Sequence, residues 1–152
     1  MDHLQSLKES MTRNAPKLAH IGIAVRNIES VLPFYVEVLG LQLTKTEKVA
    51  TEGVKAAILQ ADNTQIELLE PLSATSPIHC YIEKYGEGLH HIAFETDDIA
   101  KKVKDIHSLG VPLVSSNLRK GVQESKIAFI HPKASSGSLI EYCEYVGRKS
   151  NE

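Results

Sequence analysis

The chain alternates short apolar runs with polar turns, and the same succession of runs occurs twice. Residues 18–25 are apolar and bounded by Pro16 and Asn27, which predicts a strand. Val31, Leu32, Tyr35, Val38 and Leu39 then recur at helical spacing, on a helix that Asn27 or Glu29 can start and Gly40 stops. Pro33 falls in the first turns of that helix, where a missing N–H costs least. Residues 41–49 alternate apolar and polar, and 54–60 and 64–69 are further strands separated by the turn-forming Ala61, Asp62 and Asn63. The unit reads βαβββ.

Residues 71–87 connect this unit to the next through Pro71, Ser76, Pro77 and a Gly86-Glu87-Gly88 turn, with one helical turn around 79–85. The plan then repeats. Residues 89–96 are a strand, and Asp97 or Asp98 caps a helix with Ile99, Val103, Ile106 and Leu109 on one face. Gly110 stops it, and 111–115, 126–131 and 138–145 are strands, with loops at 119–125 and 132–137. Ahead of the first unit, Leu4, Leu7 and Met11 have helical spacing, so 1–16 is a tail or short helix. One α+β domain is predicted over 17–147, its modules spanning about 17–72 and 88–147.

The repeat carries polar markers in register. His20-Ile21 opens the first unit and His91-Ile92 the second; Ile66-Glu67-x-x-Glu70 closes the first and Ile140-Glu141-x-x-Glu144 the second. The two His lie 71 residues apart and the two Glu 74, so a loop three residues longer in the second unit accounts for the difference. If the modules pack about a pseudo-twofold axis, His20, Glu67, His91 and Glu141 converge. Gly22, Ala24 and Ala93 share their face and leave room above it. Two imidazoles and two carboxylates form a first shell for Co, Ni, Mn, Fe or Zn, with two positions of an octahedron left for a bidentate dicarbonyl. A single strand His is more often a hydrogen-bonded core residue than a ligand; the repeat lifts these four above that. Strict alternation sends His90 and His91 to opposite faces, and Glu70 and Glu144 to the solvated side. His131, before Pro132, reads as turn packing.

Composition narrows the classes. The 152 residues are 42% apolar and 24% charged, enough for one globular core. A net charge of -2 provides no basic field for nucleic acid. Cys80 and Cys143 form neither a disulfide framework nor a thiolate cluster, and no run is long and apolar enough to span a membrane. With no continuous hydrophobic stretch at the start, the cytoplasm is the expected location.

At these residues the chain resembles the vicinal-oxygen-chelate (glyoxalase/bleomycin-resistance/dioxygenase) superfamily, and within it the methylmalonyl-CoA epimerase family. The resemblance rests on His20-Ile-Gly-Ile-Ala-Val, Phe34-Tyr35 with Leu39-Gly40-Leu41, and Ile66-Glu-Leu-Leu-Glu-Pro-Leu72. Gly88-Leu-His-His-Ile-Ala-Phe94, His131-Pro-Lys and Gly137-Ser-Leu-Ile-Glu141 complete it. It implies paired βαβββ modules in a curved mixed sheet around a metal site. It also implies a metal-dependent isomerase that inverts the α-carbon of methylmalonyl-CoA through an enolate, in propionate metabolism. It further implies one divalent ion (Co, Ni, Mn or Zn) per chain on His20, Glu67, His91 and Glu141, Glu141 doubling as a base, and a homodimer. Ala56 stands where many members place a second Glu. Arg119, Lys120 and Lys126 are expected near the coenzyme A phosphates. The alternatives are lactoylglutathione lyase (glyoxalase I) chemistry and metal-free small-molecule binding.

Overall fold

A computed structural model of the chain describes residues 2–11, 14–115 and 117–147. Residues 1, 12 and 13 of the predicted tail lie outside the described residues. The strands are β1 (Leu18–Ala24), β2 (Gln42–Val49), β3 (Val54–Gln60), β4 (Gln65–Pro71), β5 (Gly88–Glu95), β6 (Arg119–Lys120), β7 (Ser125–Ile130) and β8 (Ile140–Tyr145). The helices are α1 (His3–Ser10), α2 (Ile28–Pro33), α3 (Pro77–Tyr85) and α4 (Ile99–Ser108). None of these helices is long and apolar enough to cross a membrane.

All eight strands form one curled mixed sheet, a half-barrel, in the order β2-β3-β4-β1-β5-β8-β7-β6. The repeat is visible in the pairing. β1 runs parallel to β4 as β5 runs parallel to β8, the remaining pairs within each module are antiparallel, and the modules join through the antiparallel pair β1–β5. The fold class expected from the βαβββ repeat is therefore the observed one.

Each module's helix starts in the same way. The Asn27 side chain accepts from Ser30 N at 2.9 Å, and that of Asp98 accepts from Lys101 N at 3.1 Å. The second Glu of each Ile-Glu-x-x-Glu stretch completes the cap. Glu70 Oε1 accepts from Ile28 N at 2.8 Å and Glu144 Oε1 from Ile99 N at 3.0 Å. The expectation that Glu70 and Glu144 are solvated is thus corrected: both are half-buried and satisfy first-turn N–H groups that have no helical partner. Gly40 and Gly110 follow the helices with φ of +74° and +75°, a left-handed turn that a side chain would resist.

Three further expectations change. Beyond Pro33, which has no N–H to give, the first helix widens to a π-turn over Phe34–Val38. The shifted period turns Val38 and Leu39 outward, 70% and 51% exposed. The connector helix runs nine residues rather than one turn, because Ser76 caps it, Pro77 opens it, and Ile78 and Ile82 bury one stripe. The strand expected at 111–115 is reduced to one bridge, Leu113 to Ile130, and the chain pairs again only at Arg119–Lys120, where a loop was expected. Pro112 cannot donate to a ladder, which accounts for the loss.

Apolar side chains fill both faces of the sheet. Val25, Ile28, Ala57, Leu59 and Leu68 form the core beneath α2. On the other face Ala24, Val54, Ala56 and Leu69 pack against Ile78 and Ile82 of α3. Ala93, Ile127, Cys143 and Tyr145 continue that face into the second module. Between these last two clusters lies the polar site.

Candidate metal centre and cavity

Four inner strands bring the sequence-predicted quartet together. His20 on β1, Glu67 on β4, His91 on β5 and Glu141 on β8 are all buried on the concave face. His20 Nε2 lies 3.0 Å from His91 Nε2, 3.1 Å from Glu141 Oε2 and 3.4 Å from Glu67 Oε2; His91 Nε2 lies 3.7 Å from Glu141 Oε1. The sheet register sets this up, since Gly22 sits beside Glu67 on one side and His91 on the other, and Ala93 beside His20 and Glu141. The glycine is needed for space: a Cβ at Gly22 would fall 2.2 Å from His91 Cε1.

Each first strand bulges at the residue before its His. Ala19 is the extra residue on β1 and His90 on β5. A bulge breaks alternation and re-aims a side chain. The expectation that His90 points away from the site is therefore corrected: its ring packs edge-on to His91 and lines the same cavity. His90 Nδ1 lies 2.9 Å from His91 Nδ1, and Tyr145 Oη lies 3.3 Å from His20 Nδ1. Both imidazoles so have a partner at Nδ1 and turn Nε2 toward the centre.

The buried groups perturb one another. Burial works against charge on His20, but Glu67 and Glu141 outweigh it and raise its pKa. Burial, with His20 and His90 nearby, drives that of His91 well down. Burial pushes Glu67 up to about 7, with His20 opposing and Glu141 assisting. Among the described residues Glu67 Oε1 and Glu141 Oε2 are buried with no aligned hydrogen-bond donor, Glu141 Oε2 approaching His20 Nε2 at 3.1 Å. Unpartnered buried carboxylate oxygens are costly, and a cation would satisfy both. The His20, Glu67 and His91 donor atoms lie within 4.8 Å of one another, as do those of His20, Glu141 and Cys143, so the cluster can hold a metal ion. Two nitrogens with carboxylate oxygens suit a borderline divalent cation.

The quartet forms the floor of a cavity of about 190 Å³, whose walls include Glu52, Leu69, Val122 and Phe129. The sheet's two outer edges close over it. Arg119 on β6 donates through Nε to Glu52 Oε1 at 2.7 Å and through Nη2 to Thr51 O at 3.2 Å. Gln123 N donates to Glu47, and Gln123 Nε2 to Gln65 Oε1 at 2.8 Å. Of the three basic residues singled out in the sequence, Arg119 therefore stands in the cavity wall. Lys120 and Lys126 face each other across β6 and β7 on the outer surface. Lys120 and Lys126 are not brought to the quartet.

Sequence reasoning missed Glu52, His90 and Tyr145. Tyr145 was legible, being four residues beyond Glu141 on the same strand face. Nothing short of the sheet's curl could have placed Glu52 near Glu141.

The Glyoxalase/Bleomycin resistance protein/Dioxygenase superfamily profile matches residues 19–129. The Bacillus subtilis protein YqjC, itself uncharacterized, is 42% identical over 136 residues, covering 90% of this chain and 97% of its own. The human mitochondrial methylmalonyl-CoA epimerase is 33% identical over 129 residues, covering 84% and 73%. A variant of the Streptomyces coelicolor methylmalonyl-CoA epimerase, solved with 2-nitronate-propionyl-CoA, superposes with a TM-score of 0.85 at 32% identity, covering 91% of this chain and 100% of that one.

Proposed function

We propose that this chain, which belongs to the Glyoxalase/Bleomycin resistance protein/Dioxygenase superfamily and within it to the methylmalonyl-CoA epimerase family, interconverts the two C2 epimers of methylmalonyl-CoA by a metal-dependent 1,1-proton transfer. The observation that carries this reading is the buried convergence of His20, Glu67, His91 and Glu141, with two orphaned carboxylate oxygens, on the floor of a small cavity.

His20, Glu67, His91 and Glu141 would hold a divalent ion, which would supply Lewis-acid stabilisation of negative charge on the substrate's thioester oxygen. The chain's own groups do the rest. Glu141, at the cavity floor, takes the α-proton; this carbon is acidic because it lies between a carboxylate and a thioester. Tyr145 and His90 hold the Nδ1 sides of His20 and His91, which fixes ring orientation. The apolar walls around Leu69, Val122 and Phe129 exclude water from the carbanionic carbon. A cavity of about 190 Å³ suits the acyl head and leaves the coenzyme outside. Arg119 at the wall, with exposed Lys120 and Lys126 beyond it, supports binding of the coenzyme phosphates there.

Proton NMR of methylmalonyl-CoA in D2O with metal-loaded protein tests the reading. Protein-dependent loss of the α-proton signal, abolished in Glu141→Ala and His91→Ala, is the expected outcome. Exchange no faster than in the protein-free control, in protein that holds its metal, would overturn it.

A further inference from the structure

Inverting a carbon through a planar enolate needs one group to remove the proton from one face and another to return a proton to the other. Glu141 is the first. At Ala56 the structure has only a methyl, fully buried on β3 between Glu47 of β2 and Leu69 of β4, so that position offers no proton carrier.

The cavity wall leaves few alternatives. Besides the quartet, its titratable members among the described residues are Glu52, His90 and Arg119. His90 has its Nδ1 engaged with His91, and a guanidinium does not give up its proton. We propose that Glu52 is the second acid–base residue of the epimerisation, acting on the face of the enolate away from Glu141. This inference rests on the epimerase reading.

The placement of Glu52 fits the role. It ends the short 3-10 turn Ala50–Glu52 between β2 and β3, in the module that does not carry Glu141. Gly53 follows at φ +64°, which ends that turn at once and starts β3. Arg119 holds Glu52 Oε1 from the outer side, with the Glu52 side chain 16% and Arg119 41% exposed. Among the described residues no hydrogen bond engages Oε2. Burial raises the carboxyl's pKa, Arg119 opposes the rise, and the Glu141 charge adds to it. Two carboxyls on one cavity, one from each module, can divide the roles of acid and base.

In one direction the α C–H bond breaks, its proton goes to the Glu141 carboxylate and its electron pair to the thioester oxygen. The enolate then takes the proton of the Glu52 carboxyl at the opposite face, and the electron pair returns to form the new C–H bond. Glu52 ends ionised and Glu141 protonated, and proton exchange with solvent restores the starting state. The reverse direction exchanges the roles.

The test uses metal-loaded Glu52→Gln, which keeps the shape and an acceptor for Arg119, beside the wild type and Glu141→Gln. Loss of α-deuterium to water is followed separately for each C2-deuterated epimer, with inversion followed in parallel. Wild-type protein inverts both epimers; if it inverts neither, the epimerase reading fails and this inference with it. In Glu52→Gln inversion falls by about 10²–10⁴-fold, while deuterium loss continues for the one epimer whose α-proton faces Glu141. Glu141→Gln reverses that preference. Inversion in Glu52→Gln within about tenfold of wild type, or equal loss of exchange from both epimers, would overturn the assignment while leaving the epimerase reading intact.

Discussion

The first module ends its sheet in an eight-residue strand, Gln42–Val49, whereas among its described residues the second has only the Leu113 bridge and the two-residue strand Arg119–Lys120 in the corresponding place. Their inner strands differ far less. β1 and β5 both bulge before a His, β4 and β8 both carry Ile-Glu-x-x-Glu, and both modules turn the first Glu to the site and the second to a helix start. The repeat is kept where four side chains must meet within hydrogen-bond distances, on strands paired along both sides. It is abandoned at the edge. There the second module sends Arg119 and Gln123 across to the first, and closes a cavity that two identical edges would leave open.

That comparison can be broken at its centre first. Glu141 and Glu67 are equivalents, but only Glu141 is assigned a proton. Glu141→Ala is expected to lower epimerisation by about 10²–10⁴-fold, whereas Glu67→Gln, which keeps an oxygen donor, costs about tenfold or less. Steady-state rates at saturating metal decide this. Equal losses in the two variants would mean that the modules share the chemistry evenly.

Gly22 and Ala93 are the next equivalent pair. Gly22→Ala drives a methyl into the His91 ring and is expected to weaken divalent-metal affinity by about 10–100-fold, the cost of disturbing a ligand's support. Ala93→Gly removes a buried methyl and is expected to lower stability by about 0.5–1 kcal/mol with metal affinity unchanged. Metal titration and urea unfolding of both variants separate the two effects.

The smallest effects test the helix starts. Glu70→Ala and Glu144→Ala each leave a first-turn N–H without its acceptor, and each is expected to cost about 1–2 kcal/mol in urea unfolding. A cost confined to one module would show that only one cap matters.

The strands that carry the site were legible because apolar runs, turn residues and two His…Glu pairs repeat in register. The alternation rule then failed at His90, since a bulge is a long-range fact: it appears only when β5 is laid against β1. The Glu70 and Glu144 caps were hidden for the same reason, their partners being 42 and 45 residues away. Residues 111–115 have the apolar content of a strand, but Pro112 removes a donor and the segment makes one bridge. Glu52 carried no local signal, because its nearness to Glu141 comes from the curl of eight strands rather than from any spacing along the chain.

The central claim is that two modules contribute equally to one metal site. Calorimetric titration of chelator-stripped protein with Mn2+ or Co2+ tests it most directly, with His20→Ala representing the first module and His91→Ala the second. One ion per chain in the wild type, with binding lost in both variants, is the predicted result. Binding that survives either substitution unchanged, or that is absent from folded wild-type protein, would contradict it.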